Sequence, residues 1–299
     1  MNVLELHDVA KHFGSKEVLR GVTLAVPENC VFGFVGRNGA GKTTTMKTVL
    51  GLLRPDGGEI AVCGEKVTYG GARTNRFIGY LPDVPAFYGH LTAAEYLALC
   101  GRVTGMKTDD CRARTDELLR LVGLEEEHHR IRGFSRGMKQ RLGIAQALIN
   151  RPRLLICDEP TSALDPVGRK EILDILLAAK EQTSVFFSTH ILSDVERICD
   201  RVAFLEGGRV AVSGTMEEIR ARRSDTAVEI LPENPQDLAR LREAFPQAEE
   251  SNGRLVVPEA SRRTAQELLR FVCEQDIPVT RFERHEPDLE DLFMEVIGR

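Results

Sequence analysis

The segment Gly36-Arg37-Asn38-Gly39-Ala40-Gly41-Lys42-Thr43 constrains this chain more than any other stretch. It fits the pattern GxxxxGK[ST], follows the short, nearly all-apolar run Val31–Val35, and leads into a helical stretch over about 41–53. A run of that kind reads as a strand buried on both faces, which a parallel sheet wrapped by helices provides. The glycines let the backbone curl so that successive N–H groups face one point, and the helix adds its positive end there. A phosphate fits such a point. In this pattern Lys42 neutralises charge between the β- and γ-phosphates of a nucleoside triphosphate, and the Thr43 hydroxyl ligates Mg2+. The bland alternative is a glycine turn opening an ordinary helix; the strand–loop–helix order argues against it.

A second acidic element belongs with the loop. Leu154-Leu155-Ile156-Cys157-Asp158-Glu159 reads as a buried strand ending in two carboxylates, and parallel sheets bind ligands at the carboxyl ends of their strands. There Asp158 would hold Mg2+ through water, and Glu159 would polarise an attacking water. Phe134-Ser135-Arg136-Gly137-Met138 begins 20 residues earlier. Ser135 would cap a helix whose N-terminus is a further anion site. Each of these two elements is weak alone, since strands often end at the surface and capped helices are common.

Elsewhere, strand signals at 3–9, 22–26, 154–157 and 185–187 alternate with helical ones at about 109–123, after 135 and at 167–180. The expected class is α/β, a parallel sheet with helices. Capping boxes at Thr92/Glu95, Ser193/Glu196 and Thr215/Glu218 mark three further helix starts. Near residue 220 the character changes. Lysine does not recur after Lys180, and residues 220–299 hold 12 arginines against 17 carboxylates, which accounts for the whole net charge of −5. That tail reads as strand 226–231, helix 235–245, strand 254–258, helix 262–275, strand 279–284 and helix 289–297. Two domains are therefore expected, 1–219 and a small α/β appendage at 220–299.

Composition, 42% hydrophobic and 28% charged, is that of a soluble globular protein. No apolar run approaches the roughly 18 residues needed to span a bilayer, so a cytosolic chain that serves any membrane process by docking is expected. Seven scattered cysteines without a CxxC pair suit reduced, mostly buried thiols. No block of basic residues offers a nucleic-acid footprint.

Read together and in order, these elements resemble the nucleotide-binding subunit of an ATP-binding cassette (ABC) transporter. Residues 36–43 resemble its Walker A motif, 154–159 Walker B with the catalytic glutamate, and 134–138 the signature LSGGQ in the form FSRGM. Ser162-Ala163-Leu164-Asp165 is similar to the D-loop, and Ser188-Thr189-His190 to the switch-histidine loop. The resemblance covers about residues 3–219. It implies a P-loop NTPase core with an antiparallel β subdomain and a helical subdomain, binding and hydrolysing ATP with Mg2+. It further implies that Phe13 stacks on adenine and that Gly36, Arg37, Asn38, Gly39, Ala40, Gly41, Lys42, Thr43 and Thr44 hold the phosphates. Glu159 and His190 would be catalytic. Ser135, Gly137, Met138 and Asp165 would complete a site shared between two copies.

Two departures stand out. The family usually has Gln where this chain has Asp83; a carboxylate can ligate Mg2+, so Asp83 joins Thr43 and Asp158 as an expected metal ligand. In the signature, Arg136 and Met138 replace Gly and Gln. The tail motif Glu286-Pro287-Asp288-Leu289-Glu290-Asp291-Leu292-Phe293 resembles that of ATPases serving type-2 bacterial exporters. The implied partners are an integral membrane permease and a second ATPase copy, with the protein peripheral on the cytoplasmic side of the cell membrane. A DNA-handling cassette ATPase would carry a long coiled-coil insertion before the signature, and a translation-associated one two cassettes; neither feature is present here.

Overall fold

The computed structural model describes residues 1–221, 227–251, 253–258, 260–285 and 289. It divides into two units, Met1–Met216 and Glu217–Arg299, the division falling a few residues before the change in composition.

The first unit opens with two long strands, β1 (Asn2–Phe13) and β2 (Lys16–Pro27), paired antiparallel from Asn2↔Pro27 to Phe13↔Lys16. Only their inner halves are legible as strands, because residues 10–21 are mostly polar and do not alternate regularly. The ladder continues through them by backbone pairing and register shifts, and Gly14 turns the chain at φ 59°. Next come β3 (Val31–Val35), α1 (Lys42–Val49), β4 (Gly57–Val62), β5 (Glu65–Lys66) and β6 (Ile78–Leu81). Helix α1 ends earlier than the expected 53. Gly51 adopts φ 67°, and the N–H groups of Leu52 and Leu53 return to the Lys47 carbonyl, closing the last turn.

A helical segment follows, with α2 (Ala93–Val103), α3 (Thr108–Leu121) and α4 (Arg136–Leu148). The Thr92 box forms as expected: Thr92 Oγ1 accepts from Glu95 N–H at 3.2 Å, and Glu95 Oε2 accepts from Thr92 N–H at 2.8 Å. The unit closes through β7 (Leu154–Asp158), α5 (Pro166–Ala179), β8 (Ser184–Thr189), α6 (Leu192–Ile198), β9 (Arg201–Glu206) and β10 (Arg209–Thr215). The box expected at Ser193 does not cap α6. The extended residue there is Ile191 (φ −103°, ψ 104°), whose N–H goes to Thr189 Oγ1, so the helix starts one residue before Ser193.

Two sheets result. The antiparallel one has the order β2-β1-β4-β5; the other runs β10-β9-β3-β8-β7-β6, parallel except for the edge strand β10. Every residue of β3, β7 and β8 is buried, as in strands covered on both faces of a parallel sheet. Because these three strands are neighbours and parallel, the loops after them emerge side by side. All seven cysteines are free: Cys30, Cys111 and Cys157 are buried, Cys63, Cys100 and Cys199 are half-buried, and Cys273 is exposed, so the thiols are less uniformly buried than expected. Burial pushes the Cys30 thiol up to about 11.

The second unit follows α7 (Met216–Ala221) with β11 (Ala227–Pro232), α8 (Pro235–Ala244), β12 (Glu249–Ser251), β13 (Arg254–Val257), α9 (Arg262–Glu274) and β14 (Val279–His285). Its sheet order, β12-β13-β11-β14 with antiparallel neighbours, is that of a split βαβ, ferredoxin-like fold. Val228, Ile230 and Leu255 share one apolar cluster with Leu238 and Leu241 of α8 and Leu268 and Val272 of α9. The polar edge strand β12 has no signal in the sequence. The expected helix 289–297 lies outside the described residues, apart from Leu289.

Candidate active site

The loop after β3 is shaped by glycine. Gly39 and Gly41 stand at φ 83° and 114°, which side-chain-bearing residues rarely adopt. A Cβ on Gly36 would come within 2.6 Å of the Leu205 carbonyl oxygen, so only glycine lets the loop lie against β9. Lys42, the first residue of α1, is buried and curls back: Nζ donates to Gly36 O at 2.5 Å and lies 3.0 Å from Glu159 Oε1.

The loops after β7 and β8 supply the facing wall. Thr43 Oγ1 donates to Asp158 Oδ2 at 2.7 Å, and Ser188 Oγ donates to Asp158 Oδ1 at the same distance. Ser188 Oγ also accepts from the Glu159 backbone N–H at 3.0 Å. Glu159 is held at φ 49°, a costly conformation outside glycine, and its Oε2 is 2.9 Å from His190 Nδ1. The result is a linked set, Lys42–Glu159–His190 beside Thr43–Asp158–Ser188. It opens on a cavity of about 530 Å³ that Lys16, Val18, Asp83 and Ser162 also line.

The expected residues divide into two groups. Arg37, Asn38, Gly39, Gly41, Lys42, Thr43, Thr44, Asp83, Asp158, Glu159 and His190 all line that cavity. Gly36 lies behind the loop, and Ala40 packs on the apolar core. Phe13 is half-exposed at the end of β1 with Lys11 Nζ 5.5 Å from its ring; its cross-strand partner Lys16 reaches the cavity lining and Phe13 does not. Ser135, Gly137 and Met138, at the start of α4, do not line the cavity; Ser135 Oγ accepts from Met138 N–H at 3.2 Å. Asp165 caps α5 by accepting from Gly168 N–H at 3.2 Å.

Asp83 follows β6. Its Oδ1 is 3.7 Å from Arg136 Nη2. Desolvation raises its carboxyl above the ordinary aspartate range, Arg136 opposes that, and Asp158 and Glu159 push it further up. Burial likewise lifts the neighbouring Tyr80 phenol to about 12.

Other residues in this region give little signal in the sequence. Asp194 looks like a surface acid on α6, yet it is buried, accepting from Thr161 Oγ1 at 2.6 Å and Arg169 Nη2 at 2.5 Å. Gln140 is buried on α4, and Lys16 and Val18 sit in the unrecognised hairpin. Among the described residues no group of three His, Cys, Asp or Glu side chains could hold a metal by itself. The hard oxygens of Thr43 and Asp158 suit Mg2+ when phosphate and water complete the shell.

Comparison with known proteins agrees with this geometry. Residues 19–162 match the ABC transporter family, and residues 214–297 match the C-terminal domain of DrrA1-3-like ATP-binding proteins. The ABC transporter ATP-binding protein YxlF of Bacillus subtilis (strain 168) is 38% identical, covering 99% of both chains. The bacitracin transport ATP-binding protein BcrA of Bacillus licheniformis is 33% identical over 99% of this chain and 97% of its own. The solved structure of an ATP-binding subunit of an ABC transporter has a TM-score of 0.66 at 35% identity, covering 74% of this chain and 92% of that one. The family match and the two relatives alike over 99% of this chain agree: the chain belongs to the ATP-binding subunits of ABC transporters, the ATPases that power transport.

Proposed function

We propose that this subunit drives export through a separate integral membrane permease, peripheral on the cytoplasmic face, with two copies closing around two ATP molecules. The single observation that carries the catalytic part is the linked set at the strand ends: Lys42 against Glu159, Glu159 against His190, and Thr43 against Asp158. Lys42 and the loop N–H groups hold the β- and γ-phosphates. Thr43 and Asp158, with Asp83 on the same wall, hold Mg2+, which neutralises phosphate charge when bound. Glu159 orients and deprotonates the attacking water, and His190 keeps the Glu159 carboxylate in place. The adenine rests on the hairpin carrying Phe13.

Ser135, Gly137, Met138 and Asp165 are the family positions that meet the nucleotide of a second copy. That role accords with their standing outside the cavity of their own chain. The reading as an exporter rests on the DrrA-like C-terminal match and on relatives named for bacitracin transport and linearmycin resistance, the latter LnrL of Bacillus subtilis at 30% identity.

The test is Glu159→Gln, which keeps shape but removes the base. The variant is expected to bind Mg-ATP, lose turnover and run as a dimer on a sizing column, whereas the parent protein dimerises only transiently. A variant that remains monomeric at saturating Mg-ATP and hydrolyses normally refutes both the base and the two-copy site.

A further inference from the structure

Helix α4 carries the signature at its N-terminus and, one turn further on, a buried amide that reaches two other elements. Gln140 is 1% exposed. Its Nε2 donates to the Asp83 carbonyl at 3.2 Å and to the Pro160 carbonyl at 3.2 Å. Asp83 lies in the loop after β6, and Pro160 directly follows Glu159, so one side chain joins the signature helix to both loops. Both amide hydrogens are thereby committed, while Oε1 is buried without a hydrogen-bond partner among the described residues. Arg136 lies four residues earlier, on the same face of the helix, and faces the Asp83 carboxylate at 3.7 Å. Helix α4 thus holds Asp83 twice, once by side chain and once by backbone.

The Pro160 bond matters because of what precedes it. Glu159 has φ 49°, a conformation that persists only where its surroundings over-determine it. Ser188 fixes the Glu159 backbone on its N-terminal side, and Gln140 holds the Pro160 carbonyl, one peptide beyond Glu159 on its C-terminal side. Removing either tether frees the backbone that aims the carboxylate.

We propose that Gln140 is a positioning residue for Glu159, and that through it the placement of the signature helix sets the aim of the general base. This rests on Glu159 being that base. Nothing is transferred to or from Gln140; its amide restrains a strained backbone. A misplacement of about 1 Å in catalytic geometry can cost about a hundredfold in rate, so loss of the tether is expected to lower turnover by about ten- to a hundredfold.

The experiment uses the full chain with Gln140→Met, which keeps length and helix preference but offers no donor, and Gln140→Glu, which sets a carboxylate against the two carbonyls. ATP affinity is measured by titration, kcat and KM by steady-state hydrolysis, and folding by a thermal melt. The expected result is a kcat lowered by at least tenfold in Gln140→Met, with ATP affinity and KM within about twofold of the parent. Gln140→Glu should fall at least as far. Unchanged kcat in Gln140→Met overturns the inference. So does a parallel fall in kcat and ATP affinity tracking loss of folded protein, which is what a purely structural role gives. Glu159→Gln run alongside separates the two readings: if it retains turnover, the assignment of the base fails, whereas a dead Glu159→Gln beside a fully active Gln140→Met defeats the inference alone.

Discussion

Ser188→Ala tests the architecture of the site at its least visible point. Ser188 is fully buried on β8, and its single oxygen serves two groups, donating to Asp158 Oδ1 at 2.7 Å and accepting from Glu159 N–H at 3.0 Å. Alanine leaves a carboxylate oxygen and an amide hydrogen buried with those partners gone. Each such orphan costs about 1–3 kcal/mol, and the loss of one oxygen atom adds little packing penalty. The expected destabilisation is about 2–4 kcal/mol, a large share of the about 5–15 kcal/mol typical of a folded domain. Urea unfolding of purified protein, followed by circular dichroism, measures it as a lower midpoint at unchanged slope. Hydrolysis should fall further than the folded fraction alone explains, because Glu159 at φ 49° loses the bond that holds it there. An unfolding free energy within about 0.5 kcal/mol of the parent, an ordinary surface effect, together with full activity would refute the claim that Ser188 ties the two carboxylates.

Two further outcomes follow from side chains already described. Asp83→Asn should raise the Mg2+ concentration giving half-maximal hydrolysis at fixed ATP, because one acidic oxygen leaves the cavity wall; superimposable titration curves would retire its metal role. Glu95, whose carboxyl is held below the usual glutamate range first by the Thr92 N–H and then by the Thr92 hydroxyl, gives a pH signature. Its contribution is present above the unfolded-state carboxyl pKa and is lost as pH falls through the lower folded value. Glu95→Gln should therefore be less stable than the parent near neutrality and converge with it in acid; a constant gap in urea midpoint across that range would show that the charge is irrelevant.

What the sequence revealed tracks how local each feature is. The strands β3, β7 and β8 are legible because parallel burial on both faces leaves continuous apolar runs. The phosphate loop is legible because its chemistry is contained in eight consecutive residues. By contrast, the outer half of the first hairpin is polar and alternates poorly, and its pairing is carried by backbone groups that leave no trace in side-chain pattern. That omission hid Lys16 and Val18 from the site. Ser188 and Gln140 stand inside motifs recognisable from the sequence, but their roles come from bonds to residues 30 and 57 positions away. No local spacing reports such partners. The start of α6 is hidden for a similar reason: Ser193 has the pattern of a cap, yet the Thr189 hydroxyl holds the chain extended only as far as Ile191.

Charge is the remaining question, because three carboxylates line a cavity that must accept a polyanion. Two unit charges about 4 Å apart interact by roughly 4 kcal/mol at an effective dielectric near 20, so Asp83, Asp158 and Glu159 left bare would repel triphosphate strongly. None of them is bare. Asp158 accepts from the hydroxyls of Thr43 and Ser188, Glu159 faces Lys42 and His190, and Asp83 faces Arg136. Lys16 and Arg37 line the same cavity, and among the described residues no carboxylate pairs with either. They and the loop N–H groups offer positive charge to a triphosphate there. Lys42 is the one cation on this wall with two claims on it, from the Glu159 carboxylate at 3.0 Å and from any phosphate the loop holds. On the catalytic reading proposed above, a triphosphate that draws the ammonium toward its own oxygens loosens the contact between Lys42 and Glu159. Phosphate binding and the setting of the proposed base are then linked through a single side chain.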